Sequence, residues 1–249
     1  MIPKKIHYCW FGHNQKTQSM LRYIDTWKKC FPDYEIKEWN EGNFDVDQLN
    51  FTREAYFAKK YAFVSDVCRL YALYSEGGIY LDTDVIILKT FPDKLRSHKA
   101  FAGFEHEINI GTGIMGSEKN NPIIKEFLQC YNDMHFFKGI RYSLIPNVNL
   151  FTDILAKHGL KRNNTYQDLN DIVIYPQNIF CCKDCRTKEY YNVSESLSIH
   201  DFAGLWIDSR NSLYKRICFR LKELMTVIKY RGLLYIVFTT NYSSIFYKQ

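Results

Sequence analysis

No apolar run in this 249-residue chain approaches the ~20 residues that a membrane-spanning helix needs. Its start, Met1-Ile2-Pro3-Lys4-Lys5, leads straight into strand-like sequence where a signal peptide would place an apolar stretch. Both absences point to a protein made and kept in the cytoplasm. The eight cysteines are scattered, and Cys181-Cys182-Lys183-Asp184-Cys185 has no second Cys-x-x-Cys to complete a four-ligand zinc site, so reduced thiols are expected. A phosphate-cradling glycine loop is also missing. Asn109-Ile110-Gly111-Thr112-Gly113 has neither dinucleotide-fingerprint spacing nor a P-loop lysine, which weighs against a nucleotidyltransferase or other phosphotransfer enzyme. With no internal repeat or low-complexity linker, one catalytic domain is expected. Acid is nearly absent from residues 210–249, where Glu223 faces eight Lys or Arg. That tail carries +7 of a net +6, which leaves −1 on residues 1–209. A nearly neutral body speaks against a nucleic-acid binder.

The residues that are present alternate between two periods. Lys5-Ile6-His7-Tyr8-Cys9-Trp10-Phe11 reads as a buried strand closed by Gly12, and Met20, Leu21, Ile24, Trp27 and Phe31 recur at helical spacing before Pro32. Residues 34–39 alternate as a second strand, which makes a βαβ opening. One helix is expected over residues 53–76, with Gly77 as its C-cap, and a strand at 79–81. Extended structure resumes at 85–89, with further strands at 100–105, 113–116, 172–175 and 197–202, and helices at 122–134 and 148–158. Alternating strands and helices predict an α/β fold with a largely parallel sheet.

The chemistry centres on Gly77-Gly78-Ile79-Tyr80-Leu81-Asp82-Thr83-Asp84. In extended chain, residues two apart share a side, so Asp82 and Asp84 would aim both carboxylates into one site. Such a pair suits a hard divalent cation carrying a diphosphate, and open α/β sheets bind ligands beyond the carboxyl ends of their strands. Asp-x-Asp is common in surface turns, but Val85-Ile86-Ile87-Leu88 gives this one an apolar setting. Asp66 and Arg69, three apart on the preceding helix, share a face, either at the site or as a surface ion pair.

The block Ala62-Phe63-Val64-Ser65-Asp66-Val67-Cys68-Arg69-Leu70, then Leu73-Tyr74, then Gly77 to Val85, resembles the DXD sugar-binding region of glycosyltransferase family 32, which includes bacterial capsule and lipopolysaccharide enzymes. Ile2-Pro3-Lys4-Lys5-Ile6-His7-Tyr8-Cys9-Trp10-Phe11-Gly12, Trp27-Lys28-Lys29-Cys30-Phe31-Pro32-Asp33-Tyr34, and Ser198-Ile199-His200-Asp201-Phe202 with Trp206 extend the resemblance to about residue 207. It implies a GT-A fold, a nucleotide-sugar donor (UDP-hexose first, GDP-mannose next), a glycan or lipid-linked acceptor, a Mn²⁺ or Mg²⁺ cofactor and retention of anomeric configuration. By position, Asp84 would bind the metal and Asp82 would contact donor and metal hydration shell. Asp66 and Trp206 would bind the donor, and Arg69 would orient the acidic cluster or the sugar.

The resemblance makes His200 or Asp201 the third metal ligand. Imidazole is a competent ligand for Mn²⁺, although a histidine among apolar residues also serves as a hydrogen-bonded core residue. Related bacterial chains commonly carry a second His and a small hydroxyl residue where this chain has Asp201 and Leu205. Trp10 either stacks on the nucleotide base or belongs to the core. The loop at Asn109 either borders a sugar or is a simple turn. In the tail, taken as a unit over residues 210–249 apart from a catalytic domain at 1–209, Leu213, Ile217, Leu221, Leu224 and Ile228 recur opposite Lys215, Arg216, Arg220 and Lys222. That pattern suits either peripheral contact with the anionic inner face of the cytoplasmic membrane or docking on the domain.

Overall fold

The computed structural model describes residues 1–106, 108–184, 187–203 and 213–246. Strand β1 (Lys5–Cys9) leads through helix α1 (Gln18–Cys30) to β2 (Glu35–Trp39), and the two strands pair in parallel from Lys5 opposite Glu35 to Cys9 opposite Trp39. Thr17 caps α1 by accepting the Met20 N–H, and Met20, Ile24 and Trp27 bury the face that the helical spacing predicts. The Trp27 indole N–H then donates to the Val85 carbonyl at 2.8 Å, tying α1 to the strand after the aspartates.

The single helix expected over 53–76 is two, α2 (Asn50–Phe57) and α3 (Tyr61–Glu76). Between them Lys59 sits at φ 56°, a left-handed turn at a residue that gives no warning in the sequence. Strand β3 (Gly78–Leu81), β4 (Val85–Ile87), helix α4 (Asp93–Ser97), β5 (Ala100–His106), β6 (Asn109–Ile110) and β7 (Ile114–Ser117) follow. Helix α5 (Pro122–Gln129), the hairpin β8 (Phe137–Lys138) and β9 (Arg141–Tyr142), and α6 (Asn147–Lys157) come next. Then come β10 (Gln167–Asp168), β11 (Val173–Tyr175), α7 (Gln177–Phe180), β12 (Ser198–His200) and α8 (Leu213–Phe246).

The main sheet runs β10-β11-β5-β7-β3-β1-β2, with β6 beside β5. Strands β2, β1, β3, β5 and β11 share one direction, and β7 runs against both its neighbours, so the α/β, largely parallel expectation holds with one reversed strand at the centre. Alternation along β3 shows how both faces are covered. Tyr80 enters the core of Val64, Val67, Leu70 and Leu73 from α3, while Ile79 and Leu81 enter the core of Trp27, Tyr8 and Phe101.

Helix α8 docks by a face other than the one expected. Phe219, Glu223, Val227 and Tyr230 are buried, whereas Leu221 and Ile228 are exposed and Leu224 is half-buried. The docked face is chosen by β9 and α2. Glu223 accepts the Tyr142 N–H at 3.0 Å, Tyr230 accepts from Arg53 at 2.9 Å, and the Tyr230 ring lies against Phe57 and Phe137. The side chains of Leu213, Ile217, Lys215 and Arg216 fall outside the described residues, as do Trp206, Leu205 and Cys185. The seven described cysteines are free thiols, and no helix among the described residues is long and apolar enough to cross a membrane.

Candidate metal and donor site

The site begins at the α3 to β3 junction. Gly77 (φ 68°) and Gly78 (φ 115°) adopt left-handed backbone, and a Cβ on Gly78 would lie 2.7 Å from the Lys5 carbonyl and 3.0 Å from His7 Nε2. The buried His7 ring closes this corner. Its Nε2–H donates to the Gly77 carbonyl at 2.7 Å, and Nδ1 accepts from the Trp39 indole at 3.0 Å, while burial holds its pKa below the usual histidine value. The reversal delivers β3 between β1 and β7 with Tyr80 and Asp82 on one side, and the Tyr80 hydroxyl donates to Asp82 Oδ1 at 2.9 Å.

Residues 82–84 form a turn, not extended chain, with the Val85 N–H donating to the Asp82 carbonyl at 3.1 Å. The two carboxylates therefore converge because the chain folds between β3 and β4, which corrects the reasoning from strand alternation. Asp82 is held from two sides: its N–H donates to the Gly113 carbonyl at 2.8 Å, and Oδ1 pairs with Arg69 Nη2 at 3.2 Å. The third corner comes from 116 residues downstream. Strand β12 pairs antiparallel with β4, setting His200 opposite Val85, and His200 Nε2 lies 3.2 Å from Asp84 Oδ1 and 3.9 Å from Asp82 Oδ2. Asp84 Oδ2 accepts the Ala203 N–H at 2.9 Å. Each of Asp82, Asp84 and His200 offers a ligand atom within 4.8 Å of the others, two oxygens and one imidazole nitrogen, a donor set that fits Mn²⁺ or Mg²⁺.

Asp201 stands apart from this group. Its Oδ2 accepts from Tyr23 at 2.7 Å and its Oδ1 from Lys183 at 2.5 Å, and Lys183 also donates to its carbonyl at 3.1 Å. With Asp201 engaged there, His200 is the residue that joins the two DXD carboxylates.

Arg69 is fully committed to protein. It bonds the Thr112 carbonyl at 2.8 Å and hydroxyl at 2.9 Å, pairs with Asp66 at 3.0 Å and Asp82 at 3.2 Å, and lies 4.7 Å over the Tyr80 ring. Asn147, at the start of α6, donates to Asp66 Oδ1 at 2.6 Å and accepts from the Thr112 hydroxyl at 3.1 Å. Burial raises the Asp66 carboxyl from its ordinary 3.8 to about 6, an effect that Arg69 only partly offsets. Burial also opposes ionisation of Asp84, but the hydrogen bond and charge of His200 together with the Ala203 N–H outweigh it and hold the carboxyl below its usual range.

The loop after β6 borders the site. A Cβ on Gly113 would lie 2.9 Å from both Asp82 Oδ2 and His200 Cε1, and one on Gly111 would lie 2.8 Å from Glu105 Oε2. Asn109 itself bonds Asn149 at 3.4 Å. Glu105, which nothing in the sequence marked, faces the other side of the His200 ring, with Oε2 3.9 Å from Nδ1. Burial pushes its carboxyl above the usual range. Together with Cys181, Phe180 and Gly103 it lines a small cavity behind His200. Glu105, Thr112, Asn147 and Lys183 arrive from separate segments with no shared spacing, so only the folded chain identifies them. Trp10 is half-buried, with its indole N–H donated to the Asn14 carbonyl at 2.7 Å, and no hydrogen bond joins it to the acidic group among the described residues.

Residues 17–102, which carry both aspartates, Asp66 and Arg69, match the family described as the glycosyltransferase sugar-binding region containing a DXD motif. Over those residues the chain is similar to the sugar-binding region of DXD glycosyltransferases. Two similar proteins are subversion of eukaryotic traffic protein A of Legionella pneumophila, 28% identical over 121 residues, and the uncharacterised glycosyltransferase L373 of Acanthamoeba polyphaga mimivirus, 26% identical over 203 residues. The aligned segments cover 38% and 74% of this chain and 19% and 77% of those proteins, so the chain spans about a fifth of the Legionella protein's length. A solved structure named PaToxG glycosyltransferase superposes with a TM-score of 0.47 at 22% identity, covering 64% of this chain and 70% of that one.

Proposed function

We propose that the protein is a metal-dependent, retaining GT-A glycosyltransferase that moves a hexose from a nucleotide-sugar donor to a glycan or lipid-linked acceptor in surface polysaccharide synthesis. The observation that carries this reading is the convergence of His200 on Asp82 and Asp84 at the end of β3, the two aspartates lying inside the matched sugar-binding region. Asp84 and His200 Nε2 would hold a Mn²⁺ or Mg²⁺ ion directly. Asp82 would present Oδ2 to it, because Oδ1 is engaged by Arg69 and Tyr80. When bound, such a cation neutralises the charge that gathers on a departing diphosphate.

The other residues prepare that geometry. Arg69, with its N–H groups committed to Thr112, Asp66 and Asp82, supports the role of orienting the acidic cluster over that of touching the sugar. Asp66, buried and bonded to Asn147, is suited to bind a donor hydroxyl, and Trp10 would stack on the base. For retention, the acceptor hydroxyl attacks from the face that the diphosphate leaves, the departing phosphate takes its proton, and no side-chain nucleophile is assigned.

The test is a panel of nucleotide sugars, UDP-hexoses first and GDP-mannose next, incubated with Mn²⁺ and scored for release of the nucleoside diphosphate. We expect slow hydrolysis of one donor that stops with chelator. Failure of every donor, or turnover indifferent to chelation, would overturn the proposal.

A further inference from the structure

Helix α8 is anchored along Phe219, Glu223, Val227 and Tyr230, and that anchoring fixes which way its remaining faces look. At about 100° per residue, Leu221, Met225 and Ile228 fall within an arc of about 60° pointing away from the docked side. They are 54%, 69% and 60% exposed. Lys222 and Lys229 flank this apolar stripe at roughly +90°, and Arg220 and Arg231 flank it at roughly −90°. All four cations are exposed, while the segment's one acid, Glu223, is buried and paired with Arg220 at 2.6 Å.

We propose that this face of α8 docks on an anionic lipid bilayer. An apolar stripe bordered by cations on both sides, with no exposed acid, matches a surface that offers acyl chains below a plane of negative headgroups. A second copy of the chain would set the same cations against each other. A polyanion such as nucleic acid would leave Leu221, Met225 and Ile228 unused. The face also has a route to the site: the β8–β9 hairpin that α8 rests on ends five residues before Asn147, the partner of Asp66 and Thr112.

The experiment is co-sedimentation of the full chain with vesicles of phosphatidylcholine alone and of phosphatidylcholine mixed with phosphatidylglycerol. Wild type should partition onto the mixed vesicles, weakly or not at all onto the neutral ones, and less at high salt. Met225→Glu with Ile228→Glu should lower partitioning by about tenfold or more. Lys222→Gln with Lys229→Gln should lower it by roughly fivefold per charge. These side chains are exposed, so the circular dichroism and melting temperature of both variants should match wild type. Absence of wild-type binding to mixed vesicles, binding that both variants retain, or loss in the apolar variant of a concentration-dependent dimer instead of vesicle binding, would each overturn the proposal.

Discussion

Asp66 stores a pH-dependent cost that the Asp66→Asn variant should reveal. Its carboxyl titrates near 6 in the folded chain against 3.8 ordinarily, so between those values the folded state holds a proton that the unfolded state has released. Stability must then fall as pH rises through this window and stay flat above it. The displacement corresponds to about 3 kcal/mol at neutral pH, of which about 2 kcal/mol develops between about pH 4.5 and about pH 7.5. Asparagine keeps an oxygen for Arg69 and for the Asn147 amide, so the packing survives while the charge is removed. Urea unfolding of both proteins at the two pH values, with chelator present, gives a double difference in which pH-independent losses cancel. The variant should gain about 2 kcal/mol relative to wild type on going to the higher pH, and its donor turnover should drop. A double difference near zero, or of opposite sign, would refute the burial argument.

Three further outcomes test the metal corner. Asp84→Asn should keep its melting temperature within a few degrees while Mn²⁺ binding, followed by electron paramagnetic resonance, weakens by about a hundredfold and donor hydrolysis disappears; retained binding would remove Asp84 from the ligand set. Glu105→Gln should weaken Mn²⁺ binding by roughly tenfold, because it removes a negative charge 3.9 Å behind Nδ1 that favours the ring orientation presenting Nε2 to Asp84, and an unchanged Mn²⁺ titration would make Glu105 a bystander. Gly113→Ala should lower metal affinity with the fold preserved, since its Cβ would sit 2.9 Å from Asp82 Oδ2 and His200 Cε1; a wild-type Mn²⁺ titration would show that the loop yields without disturbing either ligand.

The parts of the protein legible from sequence are those governed by local periodicity and by residue type at short spacing. The βαβ opening, the Gly77 cap, the pairing of Asp66 with Arg69 and the candidacy of Asp82 and Asp84 all follow from residues within a turn or two of each other. Where the choice lay between distant partners, sequence left it open. His200 joins Asp84 because β12 happens to pair with β4, and Asp201, its neighbour, is drawn off by Tyr23 and Lys183 from two other segments. Strand β7 reads as any strand, yet its reversal at the centre of the sheet comes from pairing with β3 and β5, which no local pattern encodes. Helix α8 shows the difference most directly. Its amphipathic spacing was visible from Leu213 to Ile228, but which face is buried was settled by β9 offering an N–H to Glu223 and by Phe57 and Phe137 closing on Tyr230. Local sequence determined that a basic helix would form there. Tertiary contacts decided that the stripe of Leu221, Met225 and Ile228 would be left facing outward, because a buried carboxylate needs its donor more than an aliphatic stripe needs cover.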